Sequence, residues 1–162
     1  MRGEYMKRLL CVFLMIMLIA TSASAVTDLD IMVEGHNMNC SICSAQKIEG
    51  NPKIDAEYGA AQFDLTAKLH DVFFYKDGKV TGFGCVCKDP EYEIEFLAQC
   101  ITACYNFAGM DAGKYCYDVI LSQFMFARSG NPLGATTAIP GIAVQLDKES
   151  FGYVFTLTVV NK

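Results

Sequence analysis

The sequence predicts an α+β domain: a mostly antiparallel sheet with a helical pair inserted between its halves, stabilised by disulfides. Three observations support this class. Strand and hairpin patterns occur in both halves of the chain, two adjacent helical repeats lie between them, and seven cysteines follow an export signal. Residues 26–162 are expected to form this single domain, since their number suits one hydrophobic core.

Residues 1–25 have the features of a secretory signal peptide. Lys7 and Arg8 precede the apolar run Leu9–Ala20, and the small residues Ala23–Ala25 supply a cleavage site. The run is shorter than the roughly 20 apolar residues that span a bilayer, so no stable membrane anchor is expected. The mature protein is therefore predicted to be secreted or periplasmic.

The charge balance excludes two classes of partner. The whole chain carries a formal net charge of −5 at neutral pH. Cleavage of residues 1–25 removes three basic side chains and one acidic one, which makes the mature protein more acidic still. Nucleic acids and anionic lipid surfaces bind basic patches, so neither is expected as a partner.

The first half of the mature chain predicts strands. Leu29, Ile31 and Val33 alternate with polar residues or methionine, and apolar residues alternate again over 61–69. Residues 72–83 then resemble a hairpin centred on Asp77-Gly78, a pair suited to positive backbone φ angles. These segments predict an antiparallel arrangement.

Two helices and a second hairpin are predicted to follow. Asp89-Pro90 is a typical helix start, and the apolar repeat that follows it ends at Gly109. Asp111 is expected to cap a second helix that ends before Gly130, and so short a link favours an antiparallel helical pair. Alternating residues within 141–160 then predict the last hairpin.

The cysteine content predicts disulfides. Cys11 lies in the signal peptide, and exported proteins usually pair their cysteines. Spacing places Cys100 and Cys104 one helical turn apart and Cys85 and Cys87 on one strand face, so a strand and a helix can be stapled together. Seven is an odd number, and the sequence leaves the pairing open. The candidates are Cys40, Cys43, Cys85, Cys87, Cys100, Cys104 and Cys116.

A group of soft ligands near the mature N-terminus supports an alternative function. His36, Met38, Cys40 and Cys43 lie within eight residues, and thiolate, thioether and imidazole ligands together suit Cu(I). The alternative to a plain scaffold is therefore an accessory protein that binds a soft metal ion through Met38-x-Cys40-x-x-Cys43, with His36 as a further candidate ligand.

Two local resemblances point the same way. "VEGHNMNCSICSAQKIEG" (Val33–Gly50) resembles the metal loop of heavy-metal-associated domains, which follows a strand and precedes a helix, although His36 and Asn37 are inserted here. "CSIC", "YGAAQF", "KDGKV" and "FGCVC", in that order between Cys40 and Cys87, resemble NosL-type periplasmic copper-accessory proteins. That family usually has Gly-Met after the cysteine pair, where this chain has Ser-Ala. Both resemblances imply Cu(I) as the ligand.

A third hypothesis is thiol–disulfide exchange. The C-x-x-C pair after a predicted strand resembles the thioredoxin-like redox motif. "AIPGIAV" (Ala138–Val144) resembles the proline and strand that face that motif, and the helical pair would then be an insertion. The final strand pattern, with no closing helix after it, departs from the thioredoxin-like arrangement.

Catalytic motifs are missing from the sequence. No G-x-S-x-G, H-E-x-x-H or glycine-rich phosphate loop occurs, and His36 and His70 are the only histidines. The sequence therefore favours an exported, disulfide-stabilised domain with a binding or structural role rather than an enzyme, and it implies no cofactor unless the Cu(I) alternative holds. The expected partner is an envelope protein or a soft metal ion.

Overall fold

Helices and an antiparallel sheet make up residues 28–130 and 137–160, the part of the chain that our computed structural model describes. The predicted signal peptide, residues 1–25, lies outside this part. The helices are α1 (Asp28–Cys43), α2 (Glu93–Ala108) and α3 (Met110–Arg128), and a 3₁₀ turn (Pro90–Tyr92) precedes α2. The strands are β1 (Lys53–Asp55), β2 (Ala60–Asp64), β3 (Leu69–Lys76), β4 (Lys79–Cys87), β5 (Thr137–Ile139), β6 (Ile142–Glu149) and β7 (Gly152–Val159). The predicted α+β class is confirmed.

The described strands form one sheet in the order β1-β2-β3-β4-β7-β6-β5, and every neighbouring pair is antiparallel. The first four strands follow one another as a meander, and β5 to β7 form a second one. The two halves meet where β4 pairs with β7, with Cys85 opposite Phe155 and Cys87 opposite Tyr153. Along the chain, α2 and α3 lie between β4 and β5.

Turn chemistry fixes the central hairpin. Asp77 and Gly78 both have positive φ angles, 53° and 75°, and connect Lys76 to its partner Lys79. A two-residue loop with both φ angles positive matches the right-handed twist of the flanking strands, which is why Asp-Gly is favoured there. The predicted hairpin is confirmed.

The core lies between one face of the sheet and the three helices. Each helix places an aromatic ring on this face: His36 of α1 stacks on Phe83 with ring centroids 5.5 Å apart, and Phe96 of α2 and Phe124 of α3 lie 6.0 Å and 5.0 Å from Tyr153. These rings and the cysteines of β4 are buried. Removal of this apolar surface from water is the main stabilising contribution to the fold.

The prediction of a strand at Leu29–Val33 is wrong, because these residues lie in α1. The contacts of α1 with the core follow helical spacing, through Leu29, Val33, His36 and Cys40. Half of that face is histidine and cysteine, so no strong apolar period marks it in the sequence. Within the described residues, no helix has the length and the apolar character that a membrane span requires.

Two element boundaries also differ from the prediction. The alternating residues 61–69 do not form one strand, because β2 ends at Asp64 and β3 begins at Leu69. Between them lies a turn, in which the hydroxyl of Thr66 accepts hydrogen bonds from the backbone N–H groups of Lys68 and Leu69. Asp111 does not cap α3, since that helix begins at Met110 directly after Gly109. The predicted start of the helical region is confirmed, with the Asp89 carboxylate accepting from the Glu91 N–H at 3.0 Å.

Candidate functional site

The C-x-x-C pair lies at the C-terminal end of α1 and is followed by an irregular segment. Cys40 is buried, and its thiol donates to the carbonyl of Gln46 at 3.4 Å. Cys43 is half-buried, and its thiol interacts with the hydroxyl of Thr102 on α2. Burial raises the pKa of Cys40 to about 11 and also raises the pKa of Cys43. Both groups are therefore held as neutral thiols at neutral pH.

The two other candidate metal ligands lie apart from this pair. His36 is completely buried, and its Nε2 atom lies 2.8 Å from Oε1 of Gln99. Met38 is 72% exposed to solvent. Among the residues that the structure describes, no group of three or more His, Cys, Asp or Glu side chains is arranged to hold a metal ion. The four residues share a helix without converging on one point.

Below α1, the core contains a buried carboxylate. Asp71 of β3 is completely buried, and its Oδ2 atom lies 3.9 Å from Nε2 of His36. Neither oxygen accepts a well-formed hydrogen bond from the described residues, although the Cys85 thiol is close enough to affect the carboxyl. Burial raises the pKa of Asp71 to about 7, and the Cys85 thiol offsets part of that increase. Burial disfavours the charged form of His36 as well, which for a histidine lowers the pKa, here to about 4.

Gln99 connects this polar cluster to the segment after the C-x-x-C pair. Its side chain is completely buried, with Oε1 on His36 and Nε2 donating to the carbonyl of Gln46 at 2.7 Å. The same carbonyl accepts from the Cys40 thiol. A buried amide that satisfies both of its ends costs little to bury and fixes its neighbours. Gln99 therefore sets the relative positions of α1, α2 and the C-x-x-C region.

The remaining cysteines extend the cluster through the core. Cys85, Cys87, Cys100, Cys104 and Cys116 are all fully buried, and the seven cysteines within the described residues are free thiols. The Cys85 thiol of β4 interacts with the Cys100 thiol of α2. The Cys104 thiol of α2 interacts with the Cys116 thiol of α3. Cys116 of α3 therefore lies beside the Cys100/Cys104 turn of α2.

The acid–base state of these thiols follows from their surroundings. Burial raises the pKa of Cys85 well above its ordinary value, and it raises those of Cys87 and Cys100 as well. Cys116 is the exception, because its interaction with the Cys104 thiol lowers its pKa. The Cys104 and Cys116 thiols therefore influence each other's ionisation.

Sequence reasoning missed Asp71 and Gln99. Asp71 was hidden because a charged residue in a strand is normally solvent-exposed. A signal for it exists: Leu69, Asp71 and Phe73 share one strand face by alternation, and two of the three are apolar. Helical spacing gives a similar signal for Gln99, which lies one position from the buried face of α2 defined by Phe96, Cys100 and Ala103.

Comparison with protein-family models, with curated proteins and with solved structures gave no match to this chain. The local resemblances over Val33–Cys87 therefore stay predictions. The geometry of α1 differs from what the heavy-metal-associated resemblance implies, since the C-x-x-C motif lies within the last turn of a helix here and does not follow a strand. Function has to be inferred from the cysteine and carboxylate cluster itself.

Proposed function

We propose that the protein is an exported domain, periplasmic or secreted, with a binding or structural role and no catalytic one, and that disulfides among its core cysteines stabilise it. The observation that carries this proposal is the contact of thiols across element boundaries. Thiols of β4 and α2 interact in the core, as do thiols of α2 and α3. Bonds at these positions would tie the helical pair to the sheet and its helices to each other.

The predicted compartment supplies the reason for this arrangement. Thiols in an oxidising compartment form and keep disulfides, whereas the same groups stay reduced in the cytosol. A bridge between distant segments stabilises the fold mainly by restricting the unfolded chain. Cross-linking would explain why several buried core positions are occupied by cysteine.

The electrostatics of the candidate nucleophiles support a non-catalytic role. Thiol–disulfide exchange requires a thiolate, and redox-active C-x-x-C sites lower the pKa of the attacking cysteine. Burial has the opposite effect on Cys40 and Cys43. His36 is buried against Gln99 and the Nδ1 atom of His70 lies 2.8 Å from Oδ1 of Asp64, so the ring of each histidine is already engaged by another side chain.

Export and oxidation can be tested in one experiment. The full chain is expressed in a Gram-negative bacterium, the periplasmic fraction is isolated, and the N-terminus and the free thiols of the denatured protein are determined. We expect a mature chain that begins at Val26 and carries fewer than seven free thiols. The control is the chain without residues 1–25, kept in the reducing cytosol, where all seven should react. Seven free thiols in the periplasmic protein, or retention in the cytosol, would overturn the proposal.

One observation favours the soft-metal alternative as a second function. The direct partners of the Cys40 and Cys43 thiols are oxygen atoms, and Cys43 is only half-buried. Two cysteines three residues apart at a helix end can bind Cu(I) together if both ionise, with Cys43 as the one that is partly open to solvent. Met38, on the exposed side of the same helix turn, could add a thioether only after a local rearrangement of α1.

A further inference from the structure

The seven thiols divide into two groups according to whether a second thiol is among their direct partners, and Cys85, which is in the first group, also interacts with the Asp71 carboxyl. Four of them interact with another thiol: Cys85 with Cys100, and Cys104 with Cys116. The other three interact with oxygen atoms. Cys40 donates to the Gln46 carbonyl, Cys43 interacts with the Thr102 hydroxyl, and Cys87 donates to the Asp89 carbonyl at 3.1 Å.

We propose that Cys85–Cys100 and Cys104–Cys116 are the two disulfides of the exported protein, and that Cys40, Cys43 and Cys87 remain thiols. This connectivity rests on the oxidising compartment of the proposed function and adds to it the identity of each bridge. The two bridges use four of the seven cysteines and leave three as thiols.

The competing partners of the Cys100 thiol are separated by strand geometry. Cys85 and Cys87 lie on the same face of β4, and both are near α2. Cys85 interacts directly with Cys100, whereas Cys87 affects Cys100 only at longer range and points to the Asp89 carbonyl at the end of the strand. Asp89 caps the turn that leads into α2, so this hydrogen bond holds Cys87 away from the bridge position.

The competing partners of the Cys104 thiol are separated in the same way. Cys116 interacts directly with Cys104, while Cys43 and Cys100 act on it only at longer range. Thr102 holds the Cys43 thiol, and its own hydroxyl is fixed by donation to the Ala98 carbonyl at 2.8 Å. Gly109 ends α2 one residue before α3 begins, and this short link brings Cys116 back to Cys104.

Oxidation of each pair balances with a disulfide oxidant such as glutathione disulfide. A thiolate of the pair attacks one sulfur of the oxidant, forms a mixed disulfide and releases one glutathione thiolate. The second cysteine, deprotonated in its turn, attacks the protein sulfur of the mixed disulfide and releases the second glutathione. Two protein thiols are oxidised, and one glutathione disulfide is reduced to two thiols.

Because both pairs are buried, the bridges are expected to form while the chain folds. The test therefore uses the full chain exported to the periplasm, denatured in acid and alkylated without reductant, with the number of alkylated thiols read from the intact mass. Wild type should show three alkylated thiols. Cys85→Ser and Cys116→Ser should each show four, because each substitution releases one partner. Cys87→Ser is the matched control two residues from Cys85, and it should show two.

The alternative connectivities give different counts. A Cys87–Cys100 bridge would exchange the results for Cys85→Ser and Cys87→Ser. Tryptic mapping of the wild-type protein gives a second readout that does not depend on how any variant folds. Because Val80–Lys88 carries both Cys85 and Cys87, and Asp89–Lys114 carries both Cys100 and Cys104, the linked peptides are fragmented to locate each bond. The bonds should lie at Cys85–Cys100 and Cys104–Cys116, and the peptide that carries Cys40 and Cys43 should be free. Two bridges with other partners would overturn this connectivity alone, and seven alkylated thiols would overturn the proposed function as well.

Discussion

The Nε2 atom of His36 lies 3.9 Å from Oδ2 of Asp71, and both side chains are completely buried. Burial lowers the pKa of His36 to about 4 and raises that of Asp71 to about 7. Between these values the folded pair therefore holds one proton. An unfolded chain, with ordinary histidine and aspartate groups, also holds one proton between about pH 4 and pH 6.5. The lowered pKa of His36 and the raised pKa of Asp71 therefore nearly cancel, so the pair binds almost the same number of protons in the folded and unfolded states.

Removing one member of the pair abolishes this cancellation. The free energy of unfolding should then change with pH in opposite directions in Asp71→Asn and His36→Gln. In Asp71→Asn only His36 remains, and between about pH 4 and 6.5 the unfolded state binds one more proton than the folded state. The free energy of unfolding should then rise with pH, relative to wild type, by up to about 1.4 kcal/mol per pH unit. In His36→Gln the folded state binds the extra proton on Asp71, so the relative free energy should fall as the pH rises from about 4 to 7.

Urea unfolding curves at several pH values, measured for wild type and both variants, check this prediction. Differences from wild type isolate the pair, since the other titrating groups are common to all three proteins. Slopes of the same sign in Asp71→Asn and His36→Gln would show that burial does not control these two groups.

Cys40 should be a slow nucleophile. Burial raises its pKa to about 11, so at pH 8 the thiolate fraction is on the order of 100-fold smaller than that of an ordinary thiol with a pKa of about 8.5. The rate of iodoacetamide modification at Cys40, resolved by peptide mass spectrometry and followed against pH, gives the value directly. An apparent pKa below about 7.5 would support thiol–disulfide exchange as the function.

Cu(I) binding separates the scaffold from the soft-metal alternative. We expect no tight one-to-one complex in a competition titration, because the Cys40 and Cys43 thiols must lose protons that burial helps them to keep, while His36 is engaged with Gln99. Tight binding lost in Cys40→Ser/Cys43→Ser but kept in Cys87→Ser would instead establish the metal function. Cys87 is a suitable control because it is another thiol held by a carbonyl oxygen.

Gly35 permits the close approach of α1 and α2. A Cβ atom at this position would lie 2.5 Å from Oδ1 of Asn106, whose Nδ2 donates to the Met32 carbonyl at 2.8 Å. Gly35→Ala should therefore lower the free energy of unfolding by about 1–3 kcal/mol, despite a gain of about 1 kcal/mol in helix propensity.

The same substitution should stabilise the protein in an Asn106→Ala background, where the clash is absent and only the propensity gain remains. A double-mutant cycle by chemical denaturation measures this reversal of sign. Destabilisation by Gly35→Ala of equal size in both backgrounds would contradict the packing described here.

Local signals in the sequence predicted the parts of the fold that depend on neighbouring residues. The Asp77-Gly78 hairpin and the helix start at Asp89 follow from turn and capping chemistry within a few residues. Helix α1 could not be predicted in this way, because the face that it buries includes His36 and Cys40. Its helical form depends on Gln99 and on the β3–β4 surface, both distant in the sequence.

In the candidate site, too, local sequence signals predicted some features, whereas others depend on contacts between distant segments. Helical spacing predicted that Cys100 and Cys104 share one face of α2, and the short link predicted that α3 packs antiparallel to α2. The contact of Cys85 with Cys100 depends on which sheet face α2 covers, and strand pairing over long sequence separations decides that. Asp71 became part of the site for the same reason, since only the completed sheet and helices remove it from solvent.

The stability of the oxidised protein relative to the reduced one tests the central claim most directly. Each proposed bridge, Cys85–Cys100 and Cys104–Cys116, closes a loop for which chain entropy gives about 3 kcal/mol. Urea unfolding of the exported protein should therefore show a free energy of unfolding several kcal/mol higher than that of the same protein reduced and kept under reductant. Superimposable unfolding curves for the two forms would contradict the account.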